Sequence, residues 1–222
     1  MSYPFKKNRG FTLIEMIVVV AIFLITTGIV LGNFKGFTRK SSLDLLAREM
    51  SLIIRQAQVY GTATRRYEGT VVTGENKFPS YGVYAKKGAN FFFIFGDKDI
   101  DKDGYYDAMS DNCDKTQGCI EQFNLYGGAF ISDIKGVYSS GIEESITEGC
   151  NPAQGDLGLQ ITFPRPTPNA KYMIGKNDGE ASGCHNADYS YAKITVEDPV
   201  TMEKRYIDIW RTGHIYVESE LN

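Results

Sequence analysis

The chain has 222 residues, a formal net charge of −3 and 23% charged side chains. That length suffices for one helical anchor and one globular domain of about 160 residues able to bury its own core. The acidic balance argues against a general polyanion binder, and two histidines leave little material for metal-assisted or acid–base catalysis.

The chain opens with Lys6-Lys7-Asn8-Arg9-Gly10-Phe11-Thr12-Leu13-Ile14-Glu15-Met16 and continues apolar to Phe34, with Glu15 the only ionisable side chain between Phe11 and Phe34. As a helix, about 20 apolar residues span the roughly 30 Å of bilayer hydrocarbon. A carboxylate within such a segment costs on the order of 3 kcal/mol at the bilayer centre, so Glu15 calls for a reason. A secretory signal peptide would need a small-residue cleavage site after the run, but the run ends in Gly32-Asn33-Phe34-Lys35. A plain membrane anchor would leave Glu15 unexplained. Lys6, Lys7 and Arg9 on one side are matched by Lys35, Arg39 and Lys40 on the other, so loop charge does not set orientation.

Basic residues, Gly10, Phe11 and an apolar run broken by Glu15 resemble the N-terminus of type IV prepilins and pseudopilins. The resemblance implies that prepilin peptidase cuts between Gly10 and Phe11 on the cytoplasmic side, and that Phe11 is then N-methylated. It also implies that Glu15 faces the terminal amine of Phe11 in its own or a neighbouring subunit. Such a pair relieves two desolvation penalties at once and would set the register of each incoming subunit. The implied partners are prepilin peptidase, other pilin subunits and the inner-membrane assembly platform. The implied location is the cytoplasmic membrane, single-pass with an exported C-terminal domain, then a filament at the surface or in the periplasm. Cleavage removes Lys6, Lys7 and Arg9 from 24 basic side chains set against 27 acidic ones, which takes the net charge to about −6.

Beyond the apolar run, Leu43, Leu46, Met50, Ile53, Ile54, Ala57 and Tyr60 follow three-and-four spacing, while Arg39, Lys40, Asp44, Arg48, Glu49 and Arg55 fall largely elsewhere. The pattern predicts one helix from Phe11 to Tyr60, roughly 75 Å long, with Gly61 as its stop. Gly28, Gly32 and Gly36 read either as close helix packing or as the ordinary small residues of a membrane helix. The domain boundaries are thus a leader at 1–10, a membrane or filament-core half at 11–34, an amphipathic half at 35–60 and a β-rich head at 61–222.

Within the head, Tyr81–Lys86 and Asn90–Phe95 flank Lys87-Gly88-Ala89 as a hairpin. Gly128–Ile134, Gly158–Phe163, Tyr191–Glu197, Lys204–Trp210 and His214–Val217 also read as strands, and Arg165-Pro166-Thr167-Pro168 and Asn177-Asp178-Gly179 as loops. One helix followed only by strands predicts an α+β, pilin-like fold, a long N-terminal helix packed on an antiparallel sheet. That order, with the closing hairpin from Ile207 to Val217, looks like the GspH/FimT class of pseudopilins and minor pilins.

In the acidic stretch Asp97-Lys98-Asp99-Ile100-Asp101-Lys102-Asp103-Gly104-Tyr105-Tyr106-Asp107, alternate carboxylates before a glycine match the first half of a calcium loop. Asp97, Asp99, Asp101, Asp103, Tyr105 through its carbonyl and Asp107 are the candidate calcium ligands. Ser110 stands where an EF-hand has its bidentate glutamate, so the stretch is not an EF-hand. Residues 97–121 carry eight acidic side chains against three lysines, a repulsion that a bound cation would offset. The competing reading is a solvated acidic turn. Cys113, Cys119, Cys150 and Cys184 all fall in the exported part and suggest two disulfides among three connectivities, Cys113–Cys119 and Cys150–Cys184 being the closer pairs.

No catalytic residues emerge: His185 and His214 have no metal-ligand spacing, and no phosphate-binding glycine motif is present. An anchored enzyme or binding protein is one alternative. A DNA-binding minor pilin using Arg165, Lys171, Lys193, Arg205 and Arg211 is another, but Arg211-Thr212-Gly213-His214 is sparse for a phosphate-binding motif.

Overall fold

The computed structural model describes residues 10–63, 65–67, 78–98, 106, 113–145, 158–174 and 188–219. It contains one long helix, α1 (Leu13–Thr62), followed by ten strands. The chain divides into two units, Met1–Arg39 and Lys40–Asn222.

In the first unit the helix is apolar on every side. All side chains from Phe11 to Gly32 except Thr27 are exposed, with Phe11 78% and Leu24 64% accessible. A helix hydrophobic all round is one that other molecules cover. The segment is long and apolar enough to cross a membrane. The Thr26 hydroxyl donates back to the carbonyl oxygens of Ile22 and Phe23 (3.0 Å each), which satisfies it without water. A Cβ on Gly28, Gly32 or Gly36 would meet nothing among the described residues within 4 Å.

In the second unit one helix face is buried. Leu43, Leu46, Ala47, Met50, Ile54 and Ala57 enter a core shared with both sheets. Gly61 does not stop the helix, which runs on to Thr62. A Cβ at Gly61 would sit 2.2 Å from the carbonyl oxygen of Phe163, so glycine is needed there because a strand backbone passes against the helix.

The strands are β1 (Tyr81–Lys86), β2 (Phe91–Gly96), β3 (Cys119–Asn124), β4 (Phe130–Val137), β5 (Glu143–Ser145), β6 (Gly158–Phe163), β7 (Lys171–Ile174), β8 (Tyr191–Glu197), β9 (Lys204–Trp210) and β10 (Ile215–Ser219). The expected α+β class holds, but the strands form two five-stranded antiparallel sheets rather than one. The first has the order β3-β2-β1-β6-β7 and the second β10-β9-β8-β4-β5. They meet at the β1–β2 turn. Gly88 N–H donates to Ile131 O (2.7 Å), Ile131 N–H donates to Ala89 O (2.9 Å), and Lys87 pairs with Asp133 (2.9 Å).

The sheets differ on the face turned away from the helix. Strands β1 and β2 are buried on both sides, because Tyr84, Phe93, Phe95, Tyr106 and Cys119 form a second apolar cluster there. The Gln160 carboxamide donates to Tyr106 O (3.1 Å) and accepts from Tyr106 N–H (2.7 Å), so it pairs with that residue as a strand neighbour would. In the second sheet, by contrast, alternate residues of β8 and β9 turn outward and are polar or aromatic.

Candidate functional site

The helix start carries the first candidate site. Thr12 and Glu15 form a reciprocal capping box: Glu15 N–H donates to Thr12 Oγ1 (3.3 Å), and Thr12 N–H donates to Glu15 Oε2 (3.5 Å). Two otherwise orphaned donors of the first turn are satisfied, and the carboxylate lies at the positive end of the helix dipole. Sequence reasoning singled out Glu15 but not its partner, although Thr12-Leu13-Ile14-Glu15 is a T-x-x-E capping signature. The box holds the Glu15 carboxylate at the backbone N–H next to Phe11, one residue from the bond after Gly10. Gly10 and Phe11 are exposed.

Of the candidate calcium ligands only Asp97 is described; it is buried, and its N–H donates to Ser80 O (2.9 Å). Asp99, Asp101, Asp103, Tyr105 and Asp107 lie outside the described residues. Among the described residues no group of three or more His, Cys, Asp or Glu is arranged to hold a metal. The far flank is fixed by the Cys113–Cys119 disulfide, one of the expected pairs. Asp114 caps the short 3₁₀ turn Lys115–Gln117, and hydrogen bonds from Thr116 hold its carboxyl below the usual range. Cys150, Cys184 and His185 lie outside the described residues, and His214 is exposed where β10 begins.

The basic residues weighed for DNA are largely committed elsewhere. Arg205 is only 2% exposed and pairs with Asp44 and Glu203 (3.4 Å each). Arg211 pairs with Asp188 (2.8 Å) and Lys193 with Glu143 (3.4 Å). Arg48 hydrogen-bonds to Asp44 and, with burial opposing and Arg205 assisting, holds that carboxyl below the usual range. These cations fasten the base of the helix to β9 and trim the sheet face.

A second polar constellation lies on the outer face of the second sheet. A cleft of about 520 Å³ is lined by Lys135, Glu143, Lys193, Thr195 and Tyr206, among others. Beside it, Asp208 stands across from Lys193 of β8 and Tyr216 of β10, with Tyr206 and Trp210 two residues away on its own strand. Asp208 is 7% exposed and its Oδ1 has no hydrogen-bond partner among the described residues. Burial pushes its carboxyl up to about 6; Glu218 and Glu143 add to the rise and Lys193 opposes it. Nothing in the sequence marks Asp208, since an outward Asp on a strand is ordinarily a solvated one.

Among known families, the model of the prokaryotic N-terminal methylation motif matches residues 5–31. Neither curated proteins nor solved structures gave a match. The matched segment contains Gly10, Phe11, the capping box and most of the exposed apolar helix, and it ends before the head. The N-terminus thus carries the methylation motif of type IV prepilins and pseudopilins, and the motif together with the long apolar helix supports membrane anchoring.

Proposed function

We propose that the chain is a structural, non-catalytic subunit, a minor pilin or pseudopilin of a type IV pilus or a type II secretion pseudopilus. Prepilin peptidase cuts between Gly10 and Phe11, and Phe11 is methylated. The apolar segment first anchors the subunit in the inner membrane and then passes, through the assembly platform, into the filament core. The observation that carries this reading is the motif joined to a helix segment that is apolar on every side. On the head's portion of the helix, Leu45 (61% exposed), Leu52 (64%) and Val59 (54%) stand seven residues apart, outside the buried face, and continue the apolar surface toward neighbouring subunits. The capping box supports the role of Glu15, because it fixes the carboxylate beside the position of the new amine. The GspH/FimT likeness of the head rests on element order alone.

Mass spectrometry of the N-terminal peptide, from protein isolated out of its native membrane or filament, tests the reading. The expected chain begins at methylated Phe11; an intact Met1 or Ser2 terminus with the peptidase present overturns it. Glu15→Val is expected to be cut normally and to be absent from sheared filaments.

Calcium is proposed for the acidic stretch, with Asp97, Asp99, Asp101, Asp103, the Tyr105 carbonyl and Asp107 as the ligand set. Its support is the oxygen-rich donor chemistry and the fixing of neighbouring Tyr106 by Gln160. The thermal midpoint is expected to fall when EDTA replaces calcium; an unchanged midpoint rules calcium out.

A further inference from the structure

The outer face of the second sheet has features that assembly does not require. Asp208 is more than nine-tenths buried, yet one carboxylate oxygen is unpartnered among the described residues. A buried acceptor left unsatisfied is unfavourable, and native proteins rarely keep one without a reason. Lys193 and Tyr216 stand directly across from Asp208 on the neighbouring strands, and Tyr206 and Trp210 two residues away on its own. Trp210 stacks on Tyr191 of the neighbouring strand, with centroids 4.5 Å apart and planes 27° apart. Trp210 and Tyr216 remain 39% and 53% exposed, which leaves aromatic surface open to solvent on either side of the acid.

The charges around this platform decide the ligand class. A simple anion would be opposed by Asp208, Glu143 and Glu218, and a simple cation by Lys193 and Lys135. A hydroxyl group both donates and accepts, so a ring bearing several hydroxyls can use carboxylates and ammonium groups together. The apolar face of such a ring also lies well on an aromatic side chain, whose body is apolar and whose rim is polar. The adjoining cleft, about 520 Å³, is of the size that small ligands occupy. The Lys193 ammonium, 5.6 Å from the Tyr206 ring centroid and 5.9 Å from that of Tyr191, sits at the end of a flexible chain and is the movable part of the cover.

We propose that the outer face of β8, β9 and β10 is a saccharide-binding site, in which Asp208 accepts a ring hydroxyl and Trp210 and Tyr216 carry the sugar's apolar face. The ligand class is an uncharged hexose or N-acetylhexosamine unit of a glycan. The site belongs to the head alone and does not depend on which filament the subunit enters.

Trp210 is the only tryptophan in the chain, so its emission reports on this site and no other. The full chain, held in a zwitterionic detergent that contains no sugar, is titrated with maltotriose, tri-N-acetylchitotriose and trigalacturonate up to about 20 mM, a range that captures weak binding. A saturable change with at least one of the two uncharged trisaccharides is expected. Asp208→Asn should weaken it about tenfold with an unchanged circular dichroism spectrum, and the exposed Tyr216→Ala should weaken it severalfold. The proposal is overturned if neither uncharged trisaccharide gives a saturable change. It is overturned equally if Asp208→Asn binds as tightly as the original chain, which would make Asp208 only an internal partner of Lys193. Binding of trigalacturonate alone, steeply weakened by salt, also overturns it in favour of a simple anion on the lysines.

Discussion

Each sheet contains one buried oxygen without a partner among the described residues, and the two are unlike. In the first sheet it is the Thr162 hydroxyl on β6, at a fully buried position where the neighbouring Gly82 leaves room for its methyl group. In the second it is the Asp208 carboxylate, on a face set with charges and half-open aromatic rings. The middle strands of the first sheet, β2, β1 and β6, are closed on both sides, by the helix and by the Tyr106 cluster, so the orphan there is a by-product of tight packing. The second sheet is closed on one side only. Its orphan is buried on the side that the helix does not cover, between strands that carry Lys193 and Tyr216. An unsatisfied group thus takes its meaning from what surrounds it.

The largest test of this contrast strikes the closed face. Phe95→Ala removes a fully buried ring whose centroid lies 5.5 Å from that of Tyr106. It should destabilise the head by about 3–5 kcal/mol in urea unfolding. A loss under about 1 kcal/mol would mean that the cluster is not a second core.

Next comes the disulfide that closes the same face. Replacing Cys113 and Cys119 together by Ser opens a loop of sequence separation six and should lower stability by about 2 kcal/mol on loop-closure grounds. The original chain should show at least this loss under reducing conditions.

On the open face the expected sign reverses. The Asp208 carboxyl is raised from its ordinary 3.8 to about 6, so the folded state holds this proton more tightly than the unfolded state. The stability it contributes is fully present below about pH 4 and is lost as pH rises through about 6. Asp208→Asn should therefore be more stable than the original chain by about 1 kcal/mol at pH 7.5, with the advantage shrinking toward pH 5. Thermal midpoints of both chains at the two pH values measure this. An advantage independent of pH would detach it from the carboxylate.

The smallest effect belongs to Thr162→Val, which keeps the shape and deletes the orphan hydroxyl. It should be neutral or stabilising by up to about 0.5 kcal/mol. A loss above about 1 kcal/mol would show that the hydroxyl is hydrogen-bonded, and the contrast between the sheets would narrow.

How far the sequence reveals this molecule follows from the same contrast between covered and open surface. Strands β1, β6, β8 and β9 are legible residue for residue, because both their neighbours are strands and at least one face is core. Strands β3, β5 and β7 escape. They are short or polar edges, such as Glu143-Glu144-Ser145, where one side of the ladder is unpaired and no run of apolar residues is needed. The division into two sheets is silent in the sequence, because pairing β1 with β6 and β4 with β8 joins segments far apart in the chain. The N-terminal motif is legible because its chemistry is contiguous: basic residues, a glycine, a phenylalanine and one glutamate within an apolar run. Asp208 is not legible, since its burial is made by Lys193 and Tyr216 on other strands.

Tyr106 also bears on how this head tolerates change in length. Gln160 grips the residue by its backbone, and its ring is wedged among Phe93 and Phe95, so Tyr106 itself is anchored on the outer side of the first sheet. An anchored residue divides one chain closure into two, and the cost of each grows with the logarithm of its length. Tyr106 is therefore a fixed point that any change in chain length around it has to respect.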